Sequence, residues 1–453
     1  MFNALNGSRR SIVGDLPGVT RDLIFGLCAY GKHHYVLVDS GGIFFHETEN
    51  SGLPFQGEIE KRVKEALLIA DKLLYVVDTR DGLTPYDEVI AHALMTYKDK
   101  VVLLANKTDH ENLHINASDF YQLGFNGLYM VSASQKQGFD EVLDHCFETL
   151  PASKQGFNNV ASDAIPVSIV GKPNVGKSSI LNALAGEDRV IVSEVPGTTR
   201  DATDHIITSH GQDYCFVDTA GFRRKSKITD DIDFYSTVRT LRSIANSDVT
   251  LLVLDATQGI GDMEQHIANL VEEEGNGIII VVNKWDLVEN KDGNTIDRYT
   301  EYVYHKLMFL EYAPIIFVSA VTKKRLNSLY DLIQTVHANR RQHVPHKELN
   351  DFMKRVSERT QQPLIRSGKG RVHYLRQDKS VSYPKFLAFV NKTEVFKTPF
   401  TRFIIKQLRE AFGYIGCPIQ IEYHDGRDSK GIKQPLQDLQ KKVVRRSTVR
   451  SKK

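Results

Sequence analysis

One octapeptide has the residue types and spacing that bind phosphate: Gly171-Lys172-Pro173-Asn174-Val175-Gly176-Lys177-Ser178. It follows an apolar stretch, Val167–Val170, and opens a helical pattern, Ser178–Leu184. Glycines let successive backbone N–H groups turn toward an anion, and the helix N-terminus adds its positive end. In this pattern Lys177 reaches the β- and γ-phosphates and the Ser178 hydroxyl binds Mg²⁺. The octapeptide therefore predicts a nucleotide phosphate site.

A second motif, Asp218-Thr219-Ala220-Gly221, follows the predicted strand Cys215–Val217. We expect Asp218 to join the Mg²⁺ sphere and the Gly221 N–H to sense the γ-phosphate. The motif is short and weak by itself. However, the motif follows the phosphate loop in the chain and lies at the end of a predicted strand, as a nucleotide site requires.

The third motif predicts which base is bound. Asn283-Lys284-Trp285-Asp286 follows the predicted strand Ile278–Val282. The Asp286 carboxylate can accept hydrogen bonds from the ring N–H and the amino group of guanine, whereas adenine presents the opposite pattern. Ser319-Ala320, after the last predicted strand, can donate a backbone N–H to the guanine oxygen. We therefore expect GTP to be preferred over ATP.

An internal repeat organises the first two thirds of the chain. The segment Phe2–Leu5 resembles Leu181–Leu184, and Asp39-Ser40-Gly41-Gly42 resembles Asp218–Gly221, both at an offset of 179 residues. Asn106-Lys107-Thr108-Asp109 resembles Asn283–Asp286 at an offset of 177. A repeat of domain length indicates a tandem duplication, not a solenoid.

The predicted elements give an α/β fold. Short buried strands alternate with helices such as Phe234–Ile244 and Met263–Glu273, which favours a parallel sheet covered on both faces. After residue 340 the order becomes α-β-β-α-β. The predicted domains are a first GTPase domain (1–150), a linker (151–164), a second GTPase domain (165–340), a small α+β domain (341–424) and a basic tail (425–453).

Charge is distributed unevenly along a chain whose net charge is only +2. Residues 340–453 hold 27 Lys and Arg against 10 Asp and Glu, while residues 1–339 hold 31 against 46. The basic third favours nucleic acid as a partner, and docking on the acidic body is the alternative. The four cysteines form no Cys-x-x-Cys pair, and no apolar run is of membrane length. These features are typical of a cytoplasmic protein without a membrane partner.

The ordered motifs resemble those of the EngA/Der family of bacterial GTPases, and the resemblance covers nearly the whole chain. It implies two tandem P-loop GTPase domains, a KH-like domain, GTP and GDP as ligands, and a role in assembly of the large (50S) ribosomal subunit with its rRNA. We expect a monomer. The resemblance also implies that Thr199 joins Ser178 and Asp218 around Mg²⁺ and that Asn174 holds K⁺. Lys177, Thr199, Gly221 and Asn174 would then form the catalytic set.

Phe222 stands where Ras-like enzymes carry a catalytic glutamine, and Ile43 is its counterpart in the first copy. Neither side chain can orient water by hydrogen bonding, so another source of charge neutralisation, such as K⁺, is expected. A plain core residue at 222 and a helix-capping role for Asn174 are the alternatives.

The first copy departs from the family pattern. It keeps Asp39, Gly42, the guanine motif Asn106–Asp109, and Ser132-Ala133, but residue 1 aligns with the helix after a phosphate loop. We expect the chain to lack one strand and one loop, about 15 residues, because a start codon was read too late. Productive GTP binding by this copy is therefore in doubt.

Two alternative functions stay open at this point. A tRNA-modification GTPase shares the Asn174 feature but has one GTPase domain and a C-terminal cysteine motif. A non-hydrolysing RNA-binding scaffold would show no GTP turnover.

In the small domain, Gly413-Tyr414-Ile415-Gly416 has the spacing of RNA-clamping KH loops, but two glycines at this spacing also end helices. The basic tail is the better RNA candidate, through phosphate contacts.

Overall fold

The computed structural model describes residues 1–5, 24–31, 33–39, 63, 66–109, 117–150, 164–186, 189–191, 205–217, 232–359, 364–365, 368–396 and 398–425. The predicted linker and basic tail lie almost wholly outside these residues. The chain forms two compact units. The first comprises Met1–Ser247 and Ile260–Glu273, and the second comprises Asp248–Gly259 and Glu274–Lys453.

The first unit begins with the first copy of the repeat. Its helices are α1 (Phe2–Leu5), α2 (Pro85–Leu94) and α3 (Phe139–Glu148), and its strands are β1 (Ile24–Tyr30), β2 (His33–Asp39), β3 (Leu73–Asp78), β4 (Val101–Asn106) and β5 (Leu128–Val131). Short 3₁₀ helices occupy Met95–Lys100 and Ser118–Leu123. Strands β1 and β2 form an antiparallel pair. Strands β3, β4 and β5 form a parallel sheet in that order.

Strand β4 shows why the parallel sheet forms. Its sequence, VVLLAN, is apolar until the last residue, and its first five residues are buried. Val101, Leu103 and Ala105 pack in one apolar cluster, while Val102 and Leu104 pack in another with α1 and α3. A strand with apolar residues on both faces requires cover on both faces. The parallel sheet of the first copy therefore has apolar clusters on both of its faces.

The first unit also contains the beginning of the second copy. Its elements are β6 (Ile165–Val170), α4 (Lys177–Ala185), β7 (Arg189–Ile191), β8 (His205–Ser209), β9 (Gln212–Phe216), α5 (Ile232–Ala245) and α6 (Asp262–Glu273). Strand β6 pairs in parallel with β9, but β8 pairs antiparallel with both β9 and β7. The expected parallel sheet is therefore wrong at this edge, since the tight turn at His210-Gly211 can join only antiparallel strands.

The second unit begins with the remaining strands of the second copy. Strands β10 (Val249–Asp255), β11 (Gly277–Asn283) and β12 (Ile315–Phe317) are parallel, and helices α7 (Thr295–Lys306) and α8 (Ser328–Arg341) follow β11 and β12. Every residue of β10 and β11 is buried. Short 3₁₀ helices occupy Trp285–Leu287 and Met308–Leu310. The predicted strand Ile278–Val282 is confirmed by β11.

The C-terminal module completes the second unit. It contains α9 (His346–Arg359), the hairpin β13 (Leu364–Ile365) and β14 (Gly368–Lys369), β15 (Val372–Gln377), β16 (Lys385–Val390), a 3₁₀ turn (Thr393–Val395), α10 (Thr398–Phe412) and β17 (Gln420–Asp425). Strand β16 lies between antiparallel β15 and parallel β17. The expected α-β-β-α-β order is confirmed, with the small hairpin as an addition. No helix in the described parts of the chain has the length and apolarity to span a bilayer.

The loop after α10 joins this module to strand β11. The backbone N–H of Ile278 donates to the carbonyl of Gly416 at 2.7 Å, and the Gly416 N–H donates to the carbonyl of Tyr312 at 2.8 Å. The Tyr414 side chain is fully buried, and the Cys417 thiol donates to the carbonyl of Val336. The backbone of Gly416 thus contacts protein, which favours packing over RNA clamping as the role of this loop.

A buried arginine makes a second connection in the same unit. The Arg340 guanidinium, at the end of α8, donates to the carbonyl of Gly275 at 3.1 Å and to the hydroxyl of Ser382 at 3.2 Å, and it pairs with Asp248. His337 contacts the same carboxylate at 3.1 Å. A buried charge is tolerated only when it is paired and hydrogen-bonded, so Arg340 fixes Ser382 of the module to this part of the unit.

We expect Gly416→Ala to destabilise the second unit more than Gly413→Ala does. Both glycines have positive φ, 73° and 87°, so each alanine pays a similar backbone strain. A Cβ at Gly416 would also overlap the Val336 side chain, whereas a Cβ at Gly413 meets nothing within 4 Å. Overpacking costs about 1–3 kcal/mol. Chemical denaturation of both variants measures the difference, and equal losses would contradict the packing role.

Candidate functional site

The phosphate loop lies between strand β6 and helix α4, as the sequence predicts. Val175 is 2% exposed and anchors the middle of the loop in the core. Asn174 and Gly176 have positive φ, 64° and 98°, which turns the backbone back on itself before the helix. Helix α4 then begins at Lys177 with no side-chain cap. Its first N–H groups are therefore available to an anion.

The Lys177 ammonium lies over this loop. Its Nζ donates to the carbonyl of Gly171 at 2.7 Å and to the carbonyl of Lys172 at 2.6 Å. Burial lowers the pKa of Lys177 to about 8. An ammonium that is desolvated and bonded only to neutral carbonyls gains strongly from a nearby anion, so the loop fits a phosphate group.

The guanine motif of the second copy is organised by one carboxamide. Asn283 ends strand β11 and is 2% exposed. Its Oδ1 accepts from the Ala320 N–H at 3.1 Å, and its carbonyl accepts from the Ala256 N–H at 2.9 Å. Lys284 has positive φ, 60°, which turns the chain toward Asp286. The motif, the Ser319-Ala320 turn and the end of β10 are thus brought together.

The first copy has the same arrangement in the first unit. Asn106 Oδ1 accepts from the Ala133 N–H at 3.1 Å, and its carbonyl accepts from the Thr79 N–H at 3.1 Å. Lys107 has positive φ, 68°. The Thr108 N–H donates to the carbonyl of Val131, as the Trp285 N–H does to that of Val318. The sequence repeat is therefore also a repeat of hydrogen-bond geometry.

The two copies differ at the aspartate that would contact the base. Asp109 accepts hydrogen bonds from Ser132, from Ser134 at 3.1 Å and from the Arg80 guanidinium at 2.9 Å. The Ser132 hydroxyl is the main cause that lowers the pKa of Asp109, with help from Ser134 and Arg80 and against the effect of burial. Asp286 is exposed. Arg80 therefore competes for the carboxylate that guanine would need in the first copy.

Sequence reasoning missed the acidic partners of the motif lysines. Lys284 Nζ lies 2.6 Å from Asp255 at the end of β10, and Lys107 pairs with Asp78 at the end of β3. Burial raises the pKa of Asp255, but the Lys284 ammonium and the Thr257 hydroxyl outweigh it and hold that pKa below its ordinary value. These aspartates are also 177 residues apart, so the repeat offset was a signal that could have found them.

Other predicted site residues lie outside the described parts of the chain. These are Thr199 and Ser40–Ile43, together with Asp218, Thr219, Ala220, Gly221 and Phe222. Asp39 is described and ends strand β2. The phosphate loop belongs to the first compact unit and the second copy's guanine motif to the second unit.

Comparison with known proteins agrees with this geometry. The family described as "50S ribosome-binding GTPase" matches residues 1–107 and 166–284. The family described as "KH-domain-like of EngA bacterial GTPase enzymes, C-terminal" matches residues 343–424. The fold, the phosphate loop and the guanine motif define an α/β P-loop GTPase, an enzyme that hydrolyses GTP.

Curated relatives narrow the class further. GTPase Der of Listeria welshimeri is 40% identical over 421 residues, covering 93% of this chain and 94% of the relative. GTPase Der of Staphylococcus epidermidis has the same identity and coverage. The chain belongs to the Der (EngA) family of bacterial GTPases.

A solved structure of the GTPase Era is similar to part of this chain. Aquifex aeolicus Era bound to GDP and aluminium fluoride is 21% identical, covers 58% of this chain and 92% of its own, and has a TM-score of 0.29. A likeness this weak does not bear on the assignment, which depends on the family matches and the curated relatives.

We expect GDP binding to take up protons above pH 8. The free protein loses the Lys177 proton near its lowered pKa of about 8, whereas phosphate favours the charged ammonium and raises that pKa in the complex. Binding at pH 8.5 should therefore take up roughly three quarters of a proton, and affinity should fall as pH rises. Calorimetry in buffers of different ionisation enthalpy measures the uptake. Lys177→Met should abolish it, and a flat affinity between pH 7 and 9 would contradict this role.

Proposed function

We propose that this GTPase acts in assembly of the large ribosomal subunit, where the nucleotide state sets its affinity for the ribosome and its rRNA. The observation that carries the proposal is the hydrogen bond between Ile278 and Gly416. It joins the KH-like module to the strand that ends in the guanine motif residue Asn283. A module of an RNA-binding class thus lies in the same compact unit as the base-reading motif.

The proposed reaction is attack of water on the γ-phosphate of GTP, giving GDP and phosphate. The phosphate loop Gly171–Ser178 binds the phosphates through backbone N–H groups and Lys177, and Asp286 reads the guanine. When bound, Mg²⁺ neutralises charge on the β- and γ-phosphate oxygens. Ser178, at the start of α4, has a hydroxyl suited to hold it, together with Thr199 and Asp218.

A monovalent cation completes the proposed chemistry. Phe222 cannot position water, so charge on the β,γ-bridge needs another partner. Asn174 is exposed on the phosphate loop, and its backbone has positive φ. Its carboxamide oxygen is a hard ligand suited to K⁺. Asn174 is accordingly the proposed K⁺ ligand.

Charge supports the proposed RNA partner. Residues 340–453 carry 27 basic against 10 acidic residues, and lysine and arginine supply the salt-dependent part of nucleic-acid binding. The buried backbone of Gly416 argues that RNA contacts come from other surfaces of the module or from residues 425–453. The proposed setting is the cytoplasm, where ribosomes assemble.

We expect Asp286→Asn to transfer ribosome binding from GTP to xanthosine triphosphate. The asparagine amide can donate to the xanthine carbonyl that replaces the guanine amino group. GTP affinity should fall by roughly tenfold to a hundredfold, because hydrogen bonds to the charged carboxylate are lost. Cosedimentation with purified 50S subunits, in non-hydrolysable analogues of each nucleotide, tests both parts. Nucleotide-independent binding would favour a scaffold, and an unchanged GTP preference would remove Asp286 from base recognition.

We expect GTP turnover to be on the order of tenfold or more faster in K⁺ than in Na⁺ at equal ionic strength, since K⁺ would neutralise transition-state charge. Asn174→Ala should reduce the K⁺ rate to the Na⁺ rate. Steady-state phosphate release measures both. Equal rates of the unaltered protein in the two salts would rule out the cation role.

A further inference from the structure

A buried carboxylate lies beside the phosphate loop. Glu264, on the first turn of α6, is 4% exposed. Its Oε2 accepts from the Gly261 N–H at 2.9 Å and lies 2.7 Å from the Lys172 Nζ. Lys172 is the second residue of the phosphate loop. One oxygen atom therefore links the start of helix α6 to the loop.

The contact with Gly261 follows from the position of Glu264 in the helix. A glutamate at the third helical position can reach back to the N–H of the residue before the helix, as in a capping box. The positive end of the helix also stabilises the carboxylate there. Glu264 is thus held in place by its own helix.

Gly261 lies beside the ion pair, close enough for ordinary van der Waals contact. A Cβ at this position would lie 3.4 Å from Lys172 Nζ and 3.6 Å from Glu264 Oε2. The Lys172 side chain is 29% exposed and the Glu264 side chain only 6% exposed. A carboxylate buried to this extent is stable only with its cation in place.

Lys172 is coupled to Lys177 through its backbone. The Lys172 carbonyl accepts from the Lys177 ammonium at 2.6 Å. The side chain of Lys172 is held by Glu264, and its carbonyl holds the lysine that would meet phosphate. Lys172 therefore contacts Glu264 through its side chain and Lys177 through its backbone.

We propose that Glu264 is a positioning residue that, through Lys172, holds the phosphate loop in the shape that binds nucleotide. This proposal rests on the proposed role of the loop in binding GTP and GDP. The alternative is that Lys172 leaves Glu264 and binds phosphate directly. The two roles predict opposite effects of removing the Glu264 charge.

The test is a double-mutant cycle with Lys172→Met and Glu264→Gln, read by the GDP dissociation constant well below each variant's unfolding temperature. If Glu264 positions the loop, each single variant should bind GDP on the order of tenfold more weakly than the unaltered protein. The double variant should then bind GDP no more weakly than the single variant with the lower affinity. Lys172→Arg should retain binding, since it keeps the cation. Direct phosphate binding predicts that Glu264→Gln strengthens binding, and that result would overturn the proposal. Additive losses would overturn it as well.

Asp262→Asn is the matched control, because it removes an exposed carboxylate from the same first turn of α6 and should leave GDP affinity unchanged. Amide hydrogen exchange over residues 171–178, without nucleotide, gives an independent readout. Exchange should rise in Glu264→Gln and not in Asp262→Asn, and equal exchange in the two would contradict the proposal. If the unaltered protein bound no GDP, the proposed function would fail, while the exchange comparison would still decide the role of Glu264.

Discussion

The partly buried ammonium of Lys177 is the constraint on which the phosphate site depends. A charged lysine can lie against a loop and partly out of water only if the loop supplies hydrogen-bond acceptors. Here the carbonyls of Gly171 and Lys172 are those acceptors. Neutral carbonyls compensate burial only partly, which is why the pKa of Lys177 falls. The loop is thus folded around a cation that a phosphate would stabilise better. The anchoring of Val175 and the Glu264–Lys172 pair maintain that shape.

A comparison of the two copies shows which parts of the guanine motif have a structural role. Asn106 and Asn283 each join the ends of two parallel strands to the following turn, with matching bonds to Ala133 and Ala320. This frame needs only a buried carboxamide and backbone groups, so it is maintained in both copies. The surrounding side chains are free to differ. Arg80 therefore covers Asp109 in the first copy, while Asp286 is exposed in the second.

The KH-like module is tied to strand β11 by backbone groups and by a buried arginine. Gly416 bonds to Ile278, and Arg340 bonds to Gly275 and Ser382. Both connections lie inside one compact unit, so a displacement of β11 would be felt by the module directly. The Gly413–Gly416 loop consequently serves as a structural joint, and its resemblance to an RNA-clamping loop is limited to the spacing of its glycines.

The sequence by itself determined the class of protein and most elements, because strand apolarity, glycine spacing and the repeat are local patterns. Ile278–Val282 could be predicted as a buried strand because all of its residues are apolar. Only the tertiary structure decided that β8 is antiparallel to its neighbours and that Lys172 pairs with Glu264. Glu264 lies 92 residues from Lys172, and no local pattern specifies which charges meet at such separation. Those pairings are set by the packing of helices and strands, which the sequence encodes only through the whole fold.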